Sequence, residues 1–370
     1  MHPMIKPALR RSWRDRETVQ YGVTPAHAVV LGPVDAATGS FFDLLDGTRS
    51  MARLREAAQV IGLGAPMADR LVRQLSRAGL VDDATAQRAV VAATGERLRP
   101  DLSSLSVLHP RPGAAARVLA ARREARVQVR GAGRVGGTLA ALLSAAGVGT
   151  VEAVDGGCVT AADAAPGGVR PDQSGERRDA ALRKVVRRVG PWARRPRSPG
   201  GAGTELDLVV FAPRDGLAAY APDPEAAREL VRAGRPHLYA GVVEATGFVG
   251  PLVLPGVSAC AECALLERSV REPSWPLMVG QWRQARRTGT VACDGPLAAV
   301  VAGAAASFVL SLLDSDGAAA PGVRTSFVLP GLRREEEVVR PYSRCPCGAA
   351  AAGADARDSA GSAPPVTMAS

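Results

Sequence analysis

Val127-Gln128-Val129-Arg130-Gly131-Ala132-Gly133-Arg134-Val135-Gly136 runs a short apolar strand into a turn of three spaced glycines. Thr138 to Ala146 then reads as an apolar, Ala-rich helix closed by Gly147, and Val151 to Val154 as a second strand ending at Asp155. Strand, turn, helix and strand make a βαβ unit. Glycine supplies such a turn with positive φ and close backbone approach, and the bare N–H groups at the helix start favour a phosphate. Asp155, 19 positions beyond Gly136, stands where a carboxylate accepts hydrogen bonds from ribose hydroxyls. Gly131, Gly133, Gly136 and Asp155 are therefore the candidate nucleotide contacts. The pattern serves NAD and ATP alike, and a glycine turn kept only for tight helix packing would look the same.

Downstream, the alternation continues. Arg177 to Val189 is a basic helix, Leu206 to Phe211 a third strand, Glu225 to Ala233 a helix and His237 to Val243 a fourth strand, with Val249 to Leu254 added antiparallel. The expected class is α/β: a Rossmann-like, mostly parallel sheet with helices on both faces, spanning 126–348. Asp163 to Glu176 reads as irregular and Arg194 to Gly203 as a mobile loop. Upstream, residues 1–85 read as a separate small α+β module. Short strands at Thr18 to Val23 and Ala28 to Leu31 precede three helical stretches, whose apolar residues are Phe41, Phe42, Leu44 and Leu45, then Leu54, Ala57, Ala58 and Ile61, then Met67, Leu71, Val72 and Leu75. Leu80-Val81 resumes as a strand. That is a winged-helix-like pattern; a packing or dimerisation appendage is the plainer alternative. Residues 86–125, polar and Pro-containing around His109 to Gly113, read as a linker ending in a short helix, and 349–370 as a disordered tail.

The 370 residues carry a net charge of +10, but every basic residue except Lys6 and Lys184 is Arg, among abundant Ala, Gly and Pro. That skew follows coding bias, so the charge is not taken as a sign of nucleic-acid binding. Charges from Lys6 through Arg16 with no apolar run after them argue against a signal peptide and for a cytoplasmic protein. Leu297 to Leu313 falls short of ~20 residues and contains Gly303, Ser307 and Ser311, so it reads as a buried core helix and not as a membrane span.

Four of the six cysteines form two tight pairs, Cys260-x-x-Cys263 and Cys345-x-Cys347. Thiolates at that spacing converge on one tetrahedral zinc at ~2.3 Å, closing the chain between them. With no histidine nearby and no open position implied, the site is structural. Cys158 and Cys293 stand alone; Cys293 reads as a small buried residue, with a thiol near the nucleotide as the alternative.

The glycine turn, Ala146-Gly147-Val148-Gly149, Asp155, Cys260-x-x-Cys263 and Cys345-Pro346-Cys347-Gly348 together resemble the ThiF/HesA/MoeB family, bacterial relatives of ubiquitin-activating enzymes. The resemblance covers about 126 to 348. It implies ATP with magnesium, adenylation of the C-terminal carboxylate of a peptide or small protein, a structural zinc on the two cysteine pairs, and a homodimer. Phe41-Phe42-Asp43-Leu44-Leu45-Asp46-Gly47-Thr48-Arg49 and Ala78-Gly79-Leu80 resemble the PqqD-related winged-helix element that captures leader peptides in ribosomal peptide biosynthesis. In that family a wing strand and the third helix form the groove to which the leader adds as a strand; Thr18 to Val23 and Leu71 to Leu75 are the matching stretches.

Departures from the adenylating members shape the functional expectation. Their Asp-x-Asp reads Asp155-Gly156-Gly157 here. Their phosphate-neutralising arginine has Arg170 as its nearest counterpart, their Gly-x-x-Lys becomes Gly175-Glu176-Arg177-Arg178, and their magnesium-binding loop becomes Phe211-Ala212-Pro213-Arg214-Asp215, with a cation at the metal position. The expected function is a ThiF-like protein that binds a precursor peptide and presents it to a partner cyclodehydratase-type enzyme, its ATP site degenerate. The alternative is an active ATP-dependent adenylyltransferase using Arg170, Arg178 and Asp215 in compensating catalytic roles. A third reading, NAD(P)-dependent oxidoreductase, lacks a catalytic set, since His27 and His109 lie outside the main domain and His237 begins a buried strand.

Overall fold

A computed structural model describes residues 1–192, 205–285, 291–314 and 321–351. The loop expected at 194–203 and the tail beyond 351 lie outside the described residues. At the start of that tail, Ala349 is fully buried. Two compact units divide the chain: Met1–Arg123 with Pro191 and Trp192, and Glu124–Gly190 with the described residues from 205 onward.

In the first unit, helices Ala36–Leu44, Met51–Val60 and Ala65–Arg77 form where the apolar spacing predicts. Asp35 and Ser50 cap the first two by accepting from the Thr38 and Arg53 N–H groups. Phe41, Phe42, Leu54, Val72, Leu75 and Leu80 share one core. Ala68, not the 41% exposed Met67, completes the buried face of the third helix. Arg11–Trp13, Val19–Tyr21 and Val29–Leu31 make an antiparallel sheet in that order. Val19–Tyr21 is thus the middle strand, with both edges paired, so an incoming peptide strand has no place there. This corrects the assignment of Thr18 to Val23 as the receiving strand. Pro3–Ile5 pairs separately with Val81–Asp83.

The stretch 86–125 is not a linker. It carries helices Ala84–Thr94, Arg99–Leu108 and Ala114–Glu124, with a 3₁₀ turn at Gly95–Leu98. Leu98, Leu102, Leu105, Ala115 and Leu119 bury a core of their own. Pro100 sits in the first helical turn, where its missing N–H costs nothing. A buried polar knot ties this layer to the preceding module. Lys6, wholly buried, donates from Nζ to the Ser106 and His109 carbonyl oxygens. Asp82 accepts from the Ser106 hydroxyl (2.5 Å) and the Gly113 N–H (2.7 Å). Desolvation lowers the Lys6 pKa, against the opposing pull of Asp82.

The second unit is built on a seven-stranded sheet ordered Arg333–Val338, Val323–Val328, Thr246–Val253, His237–Val243, Leu208–Phe211, Arg126–Arg130, Thr150–Val154. The last four run parallel and the first three are added antiparallel, which is the expected Rossmann-like sheet. Side chains alternate between faces. Val127, Val129, Leu208 and Val210 meet helices Arg134–Ala145 and Gly295–Leu313 through Leu139, Leu143, Val301 and Val309. Val209, Phe211 and Tyr239 face the opposite layer of Pro224–Arg232 and Ala261–Arg271. Gly295–Leu313 is long and apolar enough to cross a membrane, yet buries Leu297, Val301, Ala305 and Val309 in this core. From Arg126–Arg130 the chain crosses to Thr150–Val154 on one side and returns to Leu208–Phe211 on the other. That reversal opens a crevice at the carboxyl ends of the strands.

Candidate nucleotide cavity and cysteine cluster

The crevice is a cavity of about 810 Å³ at the ends of the parallel strands. Gly131 and Gly133 form its floor, and Ala212, Pro213 and Arg214 follow the neighbouring strand into its wall. Gly131 has φ +122°, and a Cβ there would lie 1.9 Å from the Ala212 carbonyl oxygen, so only glycine lets the two strand ends approach this closely. Gly136 stands behind the turn: its Cβ would meet the Gly131 oxygen at 2.1 Å. Its service is helix packing, not contact with the cavity.

Asp155 closes the turn. Its Oδ2 accepts the Ala132 N–H at 2.7 Å, and its Oδ1 accepts Arg178 Nη1 at 3.1 Å. Arg178 also reaches the Gly156 carbonyl at 2.7 Å and Asp163 Oδ2 at 3.4 Å. Asp163 in turn accepts Arg214 Nε at 2.5 Å, together with the Thr160 N–H and hydroxyl at 2.8 and 2.9 Å. Burial by itself would raise the Asp163 carboxyl; the Thr160 donors and Arg214 outweigh it and hold it below the ordinary range. Arg214 lies across the glycine floor, 2.9 Å from where a Gly133 Cβ would stand. Arg134, the first residue of the helix, donates to the Ala162 and Cys293 carbonyls at 2.8 and 3.0 Å.

Of the residues singled out in the sequence, Gly131, Gly133, Asp155 and Asp215 line the cavity, and Arg178 grips Asp155 from beside it. Asp215 accepts the Leu217 N–H at 3.2 Å. Arg170 does not come to the cavity. It pairs with Asp172 at the surface, its backbone pinned at the start of the Pro171–Gln173 turn, among Lys184 and Arg188. Asp163, Arg134 and Arg214 act here beyond the roles foreseen for them, and half-buried Cys293 both packs against the main core and lines the cavity wall. The Thr160-x-x-Asp163 spacing is the one local signal, since it makes a capping box at the turn Ala161–Asp163.

On the opposite face of the sheet the four paired cysteines meet. Their sulfurs all lie within 4.8 Å of one another, with Cys260 to Cys263 at 3.9 Å, Cys260 to Cys345 at 3.6 Å and Cys263 to Cys347 at 3.5 Å. A tetrahedron of sulfurs ~2.3 Å from one ion has edges of about 3.8 Å, so the set fits a single tetrahedral metal. The hydrogen bond from Cys260 draws Cys263 down to about 5 and pushes Cys260 up.

Residues 113–346 match the model of the ThiF family. The chain belongs to the ThiF family. No curated protein sequence matches it. Its fold is similar to that of E. coli MccB with ATP, at 14% identity and TM-score 0.65, covering 94% of this chain and 99% of that one. It is similar also to the microcin C7 biosynthetic enzyme MccB in complex with N-formylated MccA, at 14% identity and TM-score 0.65, covering 94% and 100%. The heterocyclase TruD aligns at 16% identity and TM-score 0.60 over 94% of this chain but 43% of its own. In this ThiF-family fold the glycine turn, cavity and cysteine cluster lie on one scaffold, the cavity at the strand ends and the cluster beneath the sheet.

Proposed function

We propose that this ThiF-family chain binds a precursor peptide and presents it to a partner cyclodehydratase-type enzyme in the cytoplasm, on a zinc-stapled scaffold whose ATP site is degenerate. The observation that carries the reading is the self-neutralised cavity. Asp155 and Asp163 are held by Arg178 and Arg214, and Asp215, in the loop that matches the family's magnesium position, accepts the Leu217 N–H, so the carboxylates that line the cavity are already engaged. Adenylation needs a metal and fixed cations aimed at charge that develops on phosphate. The peptide-binding half of the reading rests on the N-terminal unit, with its three-stranded sheet and three helices, and on the PqqD-like sequence. Similar folds belonging to a microcin biosynthetic enzyme held with MccA and to a heterocyclase support the same setting.

Titration of precursor peptides from neighbouring genes against the full chain tests the reading; uniform absence of binding would remove it. An active adenylyltransferase is the second reading, favoured by the full-length likeness to MccB crystallised with ATP. ATP–pyrophosphate exchange above a Gly133→Asp control, dependent on the peptide, would establish it.

A further inference from the structure

We infer that the cavity takes a nucleotide as its bare anion, with Arg214 and Arg134 supplying the positive charge and no divalent ion coordinated. The inference rests on the reading above, in which this crevice is a nucleotide pocket that has lost its metal chemistry.

Magnesium demands oxygen ligands in near-octahedral array and is usually held by one or two carboxylates besides the phosphates. Three carboxylates line this cavity, and each is committed. Asp155 is shared between the Ala132 N–H and Arg178. Asp163, with 3% of its side chain exposed, is ringed by Thr160, Arg178 and Arg214. Asp215 holds the start of the helix Leu217–Tyr220. Recruiting Asp163 to a metal would bring a third cation against the two guanidinium groups that already face it. The family's magnesium does not fit these residues.

A phosphate does fit. The helix Arg134–Ala145 starts at the cavity, which Gly133, Arg134 and Val135 line, and its N-terminus has no side-chain cap, an end that favours a phosphate. Arg134 donates to two neutral carbonyls and forms no ion pair with a carboxylate among the described residues. Arg214 overlies Gly133, its side chain about a third exposed, and presents a planar fork suited to phosphate oxygens. The volume of about 810 Å³ exceeds what a lone phosphate fills and lies within the range of small-ligand sites. Val154 and Val242 supply an apolar wall for a base.

The test is calorimetric titration of ATP and of AMP into the full chain, once with excess magnesium and once with excess EDTA. Dissociation constants that agree within about twofold between the two buffers are expected. Arg214→Asp is expected to weaken EDTA-buffered binding by about tenfold or more and to make what remains depend on magnesium, while Arg214→Lys retains metal-independent binding. Thermal unfolding of each variant checks that the fold persists. Wild-type binding that weakens tenfold or more in EDTA, or no saturable binding of either nucleotide, overturns the inference. Peptide titration on the same samples separates the two ideas: peptide bound without nucleotide sinks only this one, and nucleotide bound without peptide sinks only the presentation reading.

Discussion

Asp163 accepts two hydrogen bonds from Thr160 and faces the guanidinium groups of Arg178 and Arg214, with 3% of its side chain exposed. Removing one member of such a buried set leaves uncompensated cations, at a cost of about 3 kcal/mol. Asp163→Asn should therefore lower stability by about that amount at pH 7 in urea denaturation. The pH dependence follows from sign. The folded carboxyl sits below its unfolded value near ~3.9, so its contribution is complete above that pH and is lost as pH falls through the folded value. The difference between wild type and Asp163→Asn should shrink below about pH 4; a difference unchanged down to pH 3 would contradict the ion-pair account. Sequence spacing picked out Gly131, Gly133 and Asp155, because strand, turn and second strand are contiguous. It could not show that Arg214 reaches Asp163 across 51 positions, since that meeting depends on strand order in the sheet. Nor did it separate Gly136, which packs, from Gly131 and Gly133, which form the floor.

Helical periodicity is legible only where apolar residues are dense enough to draw a stripe. The stretches Ala36–Leu44 and Met51–Val60 met that condition, and the apolar run Gly295–Leu313 stood out by composition alone. Arg99–Leu108 hides Leu102 and Leu105 among Arg, Asp and Ser, whereas Ala114–Glu124, rich in Ala and Arg, is the short helix expected at the end of that stretch. Arg11–Trp13 is three exposed residues with no alternation to read. If 86–125 is a packed layer, Leu98→Ala, at a wholly buried position, should cost about 2–5 kcal/mol, whereas Val60→Ala, at an 87% exposed one, should stay within about 0.5 kcal/mol. Equal small effects in denaturant melts would return the segment to a linker. The cysteine pairs act on a larger element, fastening Cys345–Cys347 to the start of the helix Ala261–Arg271. One zinc per chain is expected by elemental analysis, and Cys263→Ser should lower both that stoichiometry and the melting temperature. Full thermal stability after removal of all metal by a chelator would exclude a structural ion.

Two compact units on one chain pose a question of coupling that neither unit answers by itself. The first carries the sheet and helices proposed to take the peptide, and the second carries the cavity and the cysteine cluster. The proposed presentation role needs the peptide to stay bound whatever occupies the cavity, because a scaffold that delivers substrate to a separate enzyme gains nothing from nucleotide control. Allosteric control would instead appear as reciprocal linkage, in which nucleotide changes peptide affinity and peptide changes nucleotide affinity by the same factor. Gly133→Asp discriminates between these. The new side chain starts 2.9 Å from Arg214 Cγ and puts a carboxylate over the phosphate end of the cavity, so nucleotide affinity should fall by about tenfold or more. Peptide affinity, measured by titration with and without saturating ATP, should change by less than about twofold in both proteins. A peptide dissociation constant that moves with nucleotide in the wild type, and ceases to move in Gly133→Asp, would instead make this a nucleotide-gated carrier.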